Sequence, residues 1–191
     1  MNRIFFPLAL LAVAAMSAVM ILGLYLHSKD IRNAADLDAQ RLATVHRLSG
    51  IAAGLCVLLV DSVVVTYFIG TSRWTKEVSE TYRLNDSFAR RSNALKRKTF
   101  PWAVFGMLTV VVITALGGAA DPASSFSVTP LQNVAGANVS WADVHLIGAL
   151  VGLALIGYGF YRMAVNIAAN LTIINEVMAE VKRIRTERGL A

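Results

Sequence analysis

An apolar run long enough to cross a bilayer occurs four times in this chain, and that constrains the fold more than any other feature. The most informative run is Val45–Gly70, VHRLSGIAAGLCVLLVDSVVVTYFIG, which carries no charge beyond Arg47 and Asp61. The others are Ile4–Leu26, Pro101–Ala119 and Val144–Asn170. A helix needs about 20 mostly apolar residues to span the hydrocarbon core. Inside that core every backbone N–H and C=O must be satisfied within the structure, which leaves helices or closed barrels. Ile4–Leu26 exceeds the apolar region of a cleaved signal, about 7–15 residues, and reads as a first span. The expected fold is all-α, an integral-membrane four-helix bundle with spans near 4–26, 45–70, 101–119 and 144–170.

Composition agrees. Hydrophobic residues make up 56% of the chain and charged residues 16%, against about 25% charged in soluble domains. The charges are regional. Residues 27–44 are of mixed sign, with apolar spacing that permits a short surface helix. Arg73–Thr99 holds eight Lys and Arg and reads as a basic loop, with Trp74 as an interfacial anchor. Pro101 suits the first turn of the third span, and Gly117-Gly118 would loosen its end. Asp121–Asp143 has no Lys or Arg and reads as an interfacial loop anchored by Trp141. Beyond Asn170, the positions Ile173, Ile174, Val177, Met178, Val181 and Ile184 recur at helical spacing. The last helix should therefore continue over 171–188 as an amphipathic extension, packing on the 73–99 segment or docking a partner.

Thirteen of the eighteen Lys and Arg flank the same ends of the spans, and four flank the opposite ends. Because cytoplasmic loops are enriched in Lys and Arg, both termini are expected in the cytoplasm. The second and fourth spans also share a plan. An offset of 99 residues places Val45 on Val144, His46 on His145, Glu77 on Glu176 and Val78 on Val177. Two related helical hairpins, an internal repeat, follow as an expectation.

The three histidines, His27, His46 and His145, fall at one end of the spans. Imidazole is a common axial ligand of haem iron, and a porphyrin needs small residues beside each ligand. Ser49 and Gly50 follow His46, and Gly148 and Ala149 follow His145, while Arg47 and Arg41 are placed to meet propionates. The layout is similar to that of the membrane anchors of succinate dehydrogenase-type complexes, without a shared sequence motif. That similarity of layout implies a haem b held by histidines of two spans. A copper or zinc site with His27 as third ligand is a weaker option. The competing reading needs no cofactor, since small residues four apart, such as Ser49/Ala53 and Gly148/Gly152, also serve close helix packing.

Asp61 and Arg162 are charged residues inside spans, which usually face the bundle or one another. Asp61 lies 15 residues past His46 and Arg162 lies 17 past His145. At 1.5 Å per residue the depths are about 22 and 25 Å, so an intramembrane ion pair is expected. The alternative is a proton or quinone-headgroup site with Tyr67, Tyr158 and Asn166.

No phosphate-binding glycine loop, nucleophile elbow or HExxH occurs, and the lone Cys56 reads as a small core residue. The chain is therefore not expected to be an enzyme on its own. It reads as a small subunit of a respiratory-type electron-transfer assembly, with one b-type haem between His46 and His145. The alternative is a non-catalytic structural or assembly subunit, and a small transporter using Asp61 is weaker still. Expected partners are membrane lipids and other complex subunits, reached through 73–99 and 171–188, with no nucleic acid. The expected location is a bacterial inner membrane.

Overall fold

The computed structural model describes residues 1–28, 37–121 and 139–189, and every regular element within them is helical. Four helices follow in order: α1 (Asn2–Ser28), α2 (Leu37–Tyr82), α3 (Ser87–Ala120) and α4 (Trp141–Glu187). All four are long and apolar enough to cross a membrane, the property of a multi-pass membrane protein. They form an antiparallel ring in which α1 touches α2 and α4, and α3 touches α2 and α4. The diagonal helices α2 and α4 run in the same direction and meet across the centre. The bundle thus has a histidine end and a basic end.

The segment read as a basic loop is helical almost throughout. α2 runs on through Gly70, whose missing side chain leaves only open space, and reaches Tyr82. Arg83 then adopts φ 54°, Leu84 N–H donates to the Ser79 carbonyl at 2.8 Å, and the chain reverses. Asn85 Oδ1 accepts from Ser87 N–H at 2.8 Å and starts α3. Pro101 is therefore not at the start of a helix but in the interior of α3, where its missing N–H leaves the Arg97 carbonyl without its usual helical donor. The 27–44 stretch divides: Leu37 onward belongs to α2, while 29–36 lie outside the described residues, as do 122–138 of the interfacial loop.

At the basic end, α4 packs on the hairpin made by α2 and α3. Leu84, Ile173 and Val177 are buried there, with Trp74, Val78, Phe88, Val181 and Ile184 around them. Residues of the 171–188 extension thus pack on the basic segment. Arg91 of α3 and Glu176 of α4 clamp this stalk through a two-pronged salt bridge. That guanidinium holds the Glu176 carboxyl below its usual range, chiefly through the hydrogen bonds.

Between stalk and core lies a buried polar layer. Asn170, 0% exposed, donates to Tyr67 Oη at 3.1 Å and Thr71 Oγ1 at 3.0 Å and accepts from Ser92 Oγ at 3.2 Å. Asn166 donates to Thr99 Oγ1 at 3.0 Å. The apolar core above it draws on every helix, with Phe5 and Ala12 of α1, Val57 and Val64 of α2, Ala103 of α3 and Ile156 and Met163 of α4. Cys56 packs at its edge.

Candidate functional site at the histidine end

The fourth helix begins with a full capping box. Ser140 Oγ accepts from Asp143 N–H, and Asp143 Oδ2 accepts from Ser140 N–H at 2.8 Å. This arrangement satisfies N–H groups that a helix start otherwise leaves unpaired and fixes where α4 begins, four residues before His145. The other oxygen of Asp143 lies 3.3 Å from His27 Nε2 on α1. One carboxylate thus starts α4 and ties it to the end of α1.

His46 and His145 meet across the bundle, with ring centroids 6.3 Å apart and ring planes at 79°. Each ring rests on a glycine of the preceding helix. A methyl group at Gly23 would fall 2.8 Å from His46 Cε1, and one at Gly117 would fall 3.1 Å from His145 Cε1. The carbonyl of Val19, one turn before Gly23, faces His46, and that of Ile113, one turn before Gly117, faces His145. Among the described residues, both Nδ1 atoms are buried without a hydrogen-bond partner, an uncommon condition for a buried ring nitrogen.

The remaining predicted residues divide. Ser49 donates back to the carbonyl of Val45 at 2.6 Å, which draws its hydroxyl onto its own helix. Gly148 is packed by Leu116, so close that a methyl there would fall 2.7 Å from Leu116 Cδ1. Gly50 sits against Val19 at an ordinary contact distance, and Ala149 is half-buried. The small residues therefore serve close helix approach at least as much as space beside the rings. Arg47 does not stand free for an anionic group, because it donates to Asp121 at the end of α3 and to Thr44 at 3.1 Å. Arg41 lies 3.6 Å from Asp38. The three histidines are not gathered: no group of three His, Cys, Asp or Glu able to hold a metal occurs among the described residues, and His27 is on Asp143 instead.

Nor does the structure bring Asp61 and Arg162 together. Arg162 donates to Tyr158 Oη at 3.0 Å, and its guanidinium lies 5.4 Å from the Trp102 ring centre, a cation–π contact. Asp61 is fully buried with neither oxygen hydrogen-bonded. Direction round the helix, and not depth alone, decides contact. At about 100° per residue, 17 residues carry Arg162 about 100° away from the way His145 points, whereas 15 carry Asp61 only about 60° from His46.

Gly23 and Gly117 are the residues that sequence reasoning missed. Both were visible as glycines near the histidine end of an apolar span. Only the packing of α1 on α2 and of α3 on α4 shows what they face. No protein-family model, curated protein or solved structure was found to match this chain.

Proposed function

We propose that the chain is a small membrane-embedded electron-transfer subunit in which His46 and His145 are the axial ligands of one b-type haem. One observation carries this reading: two imidazoles from diagonal helices face each other across the bundle with partnerless Nδ1 atoms. Metal–imidazole bonds are about 2.0–2.1 Å. Two of them plus the half-widths of two rings come to about 6 Å, close to the 6.3 Å between the ring centres. His46 and His145 would therefore hold the iron, one from each diagonal helix. A haem there would supply a one-electron carrier. The chain's own contribution is to hold both imidazoles against glycines so that neither ring can swing away, and to surround them with apolar helices. Arg47 is engaged by Asp121 and is not assigned to propionates.

The glycine-under-histidine arrangement occurs in α1/α2 and again in α3/α4. Gly23 and Gly117 lie 94 residues apart and the two histidines 99, so the recurrence supports two related hairpins of slightly different length rather than one ungapped offset. The excess of Lys and Arg at the stalk supports placing both termini in the cytoplasm of a bacterial inner membrane. The stalk's outer surface would then meet larger subunits, and Lys96, Arg97 and Lys98 would meet anionic lipid headgroups.

A second reading is favoured by His27, Arg47 and Ser49, which all have protein partners. In it the histidine end is a packing junction and the chain a structural or assembly subunit. A reduced-minus-oxidised absorption spectrum of protein purified from a haem-competent host separates the two. A sharp α-band of b type, lost in His46→Ala and in His145→Ala, is the expected result. A flat spectrum from a fully helical sample would sink the haem reading and leave the structural one.

A further inference from the structure

We propose that Asp61 is a proton-binding site within the membrane-spanning core, held there as the neutral acid and exchanging its proton with the basic end of the molecule. The proposal is independent of any haem, because it stands on the lower half of the bundle.

Asp61 is 0% exposed, and neither carboxyl oxygen has a hydrogen-bond partner. Among the described residues, none forms an ion pair with it. The spans Ile4–Leu26 and Pro101–Ala119 contain no charged residue. On α4, Arg162 is turned to Tyr158 and Trp102. The core around it is built from Phe5 and Ala9 of α1, Ala103 and Val110 of α3, and Phe160 and Met163 of α4. An isolated carboxylate in such a place is so costly that the group neutralises instead. The site is also shaped for a carboxyl. Gly106 of α3 lies against it, and a methyl group there would collide with Oδ2. An apolar packing position would be filled by a larger side chain on α3, whereas here the backbone gives way to an acid.

The direction of exchange follows from where polar groups lie. On the way to His46 the buried residues of α2 are Val60, Val57, Gly54 and Ala53, which can relay nothing. On the other side lie two separate polar links, Asn166 with Thr99, and Asn170 with Tyr67 and Ser92. Tyr67 is six residues from Asp61, about 9 Å along the helix, with Val64 and Met163 at the intervening level. Uptake moves one proton from water at the basic end onto the carboxylate oxygen. Release returns it and leaves one negative charge, with no other bond changed. Movement of the Val64–Met163 layer sets the rate.

The test is infrared spectroscopy of the full chain in lipid bilayers at neutral pH. A C=O band of a protonated carboxyl is expected, lost in Asp61→Asn and displaced when aspartate is labelled with ¹³C at the carboxyl. The label keeps the test decisive even if the variant does not fold, since Asp61 is the only aspartate inside a span. Transfer to D₂O should shift the band, and Asn166→Leu should slow that shift. Absence of the band would overturn the neutral acid. A band unmoved by D₂O would reduce Asp61 to an inert buried group, and an unslowed shift in Asn166→Leu would overturn the route through the basic end.

Discussion

Gly106 and Asp61 form a pair in which each explains the other, and that pair can be tested by substitution. Adding a methyl group at Gly106 drives it into Oδ2 of Asp61, and inserting carbon into a filled core typically costs about 1–3 kcal/mol. Gly106→Ala should therefore lower stability by about that much. Adding Asp61→Ala should recover most of it, because the carboxyl no longer occupies the space. A double-mutant cycle on thermal unfolding in detergent measures this coupling, and additive single effects would show that the two do not share a site. The same positions show what was legible in the sequence at this scale. An aspartate inside an apolar run declares itself, and so do histidines at matched helix starts. What a glycine faces does not: Gly23, Gly106 and Gly117 owe their importance to a neighbouring helix. The pairing of Asp61 with Arg162 failed for a related reason, since depth was read and direction round the helix was not.

At the scale of elements, the spans were readable because bilayer length and lack of charge are local properties. The continuation of α2 and α3 into the stalk was not. Arg73–Thr99 is too polar to look like a membrane helix, and its helicity rests on α4 lying alongside. The joint between span and stalk is the layer around Asn170. Asn170→Ala would leave the half-buried Tyr67 hydroxyl without its amide partner and the buried Ser92 hydroxyl with Ser72 alone, while Thr71 keeps its bond to the Tyr67 carbonyl. With a cost of about 1–3 kcal/mol for buried groups left unpaired, the variant should unfold more readily by that amount. Asn170→Asp would separate lost donors from lost shape. Circular dichroism during denaturant titration reports both, and a wild-type midpoint for Asn170→Ala would mean that the layer is not a joint.

On the scale of the whole molecule, the stalk is clamped by Arg91 and Glu176, and that clamp responds to acid. Because the folded Glu176 carboxyl sits below its unfolded range, its contribution is present above the unfolded value, about 4.3. It is lost as pH falls through the lower folded value. The stalk should therefore hold down to about pH 4.3 and loosen only as pH falls further, and less so in Glu176→Gln. Protease cleavage at the Arg83 turn, followed against pH, measures it, and identical profiles for the two proteins would exclude the clamp. The same stalk belongs to two helices that also carry the histidines. α2 has 46 residues and α4 has 47, so at 1.5 Å each they are rods of about 70 Å, more than twice the roughly 30 Å hydrocarbon thickness. No proline interrupts either rod. A straight rod of that length can act mechanically as a lever. A tilt of about 5° over that length carries one tip about 6 Å, so a shift in the spacing of the two imidazoles would be felt at the far tip of the stalk.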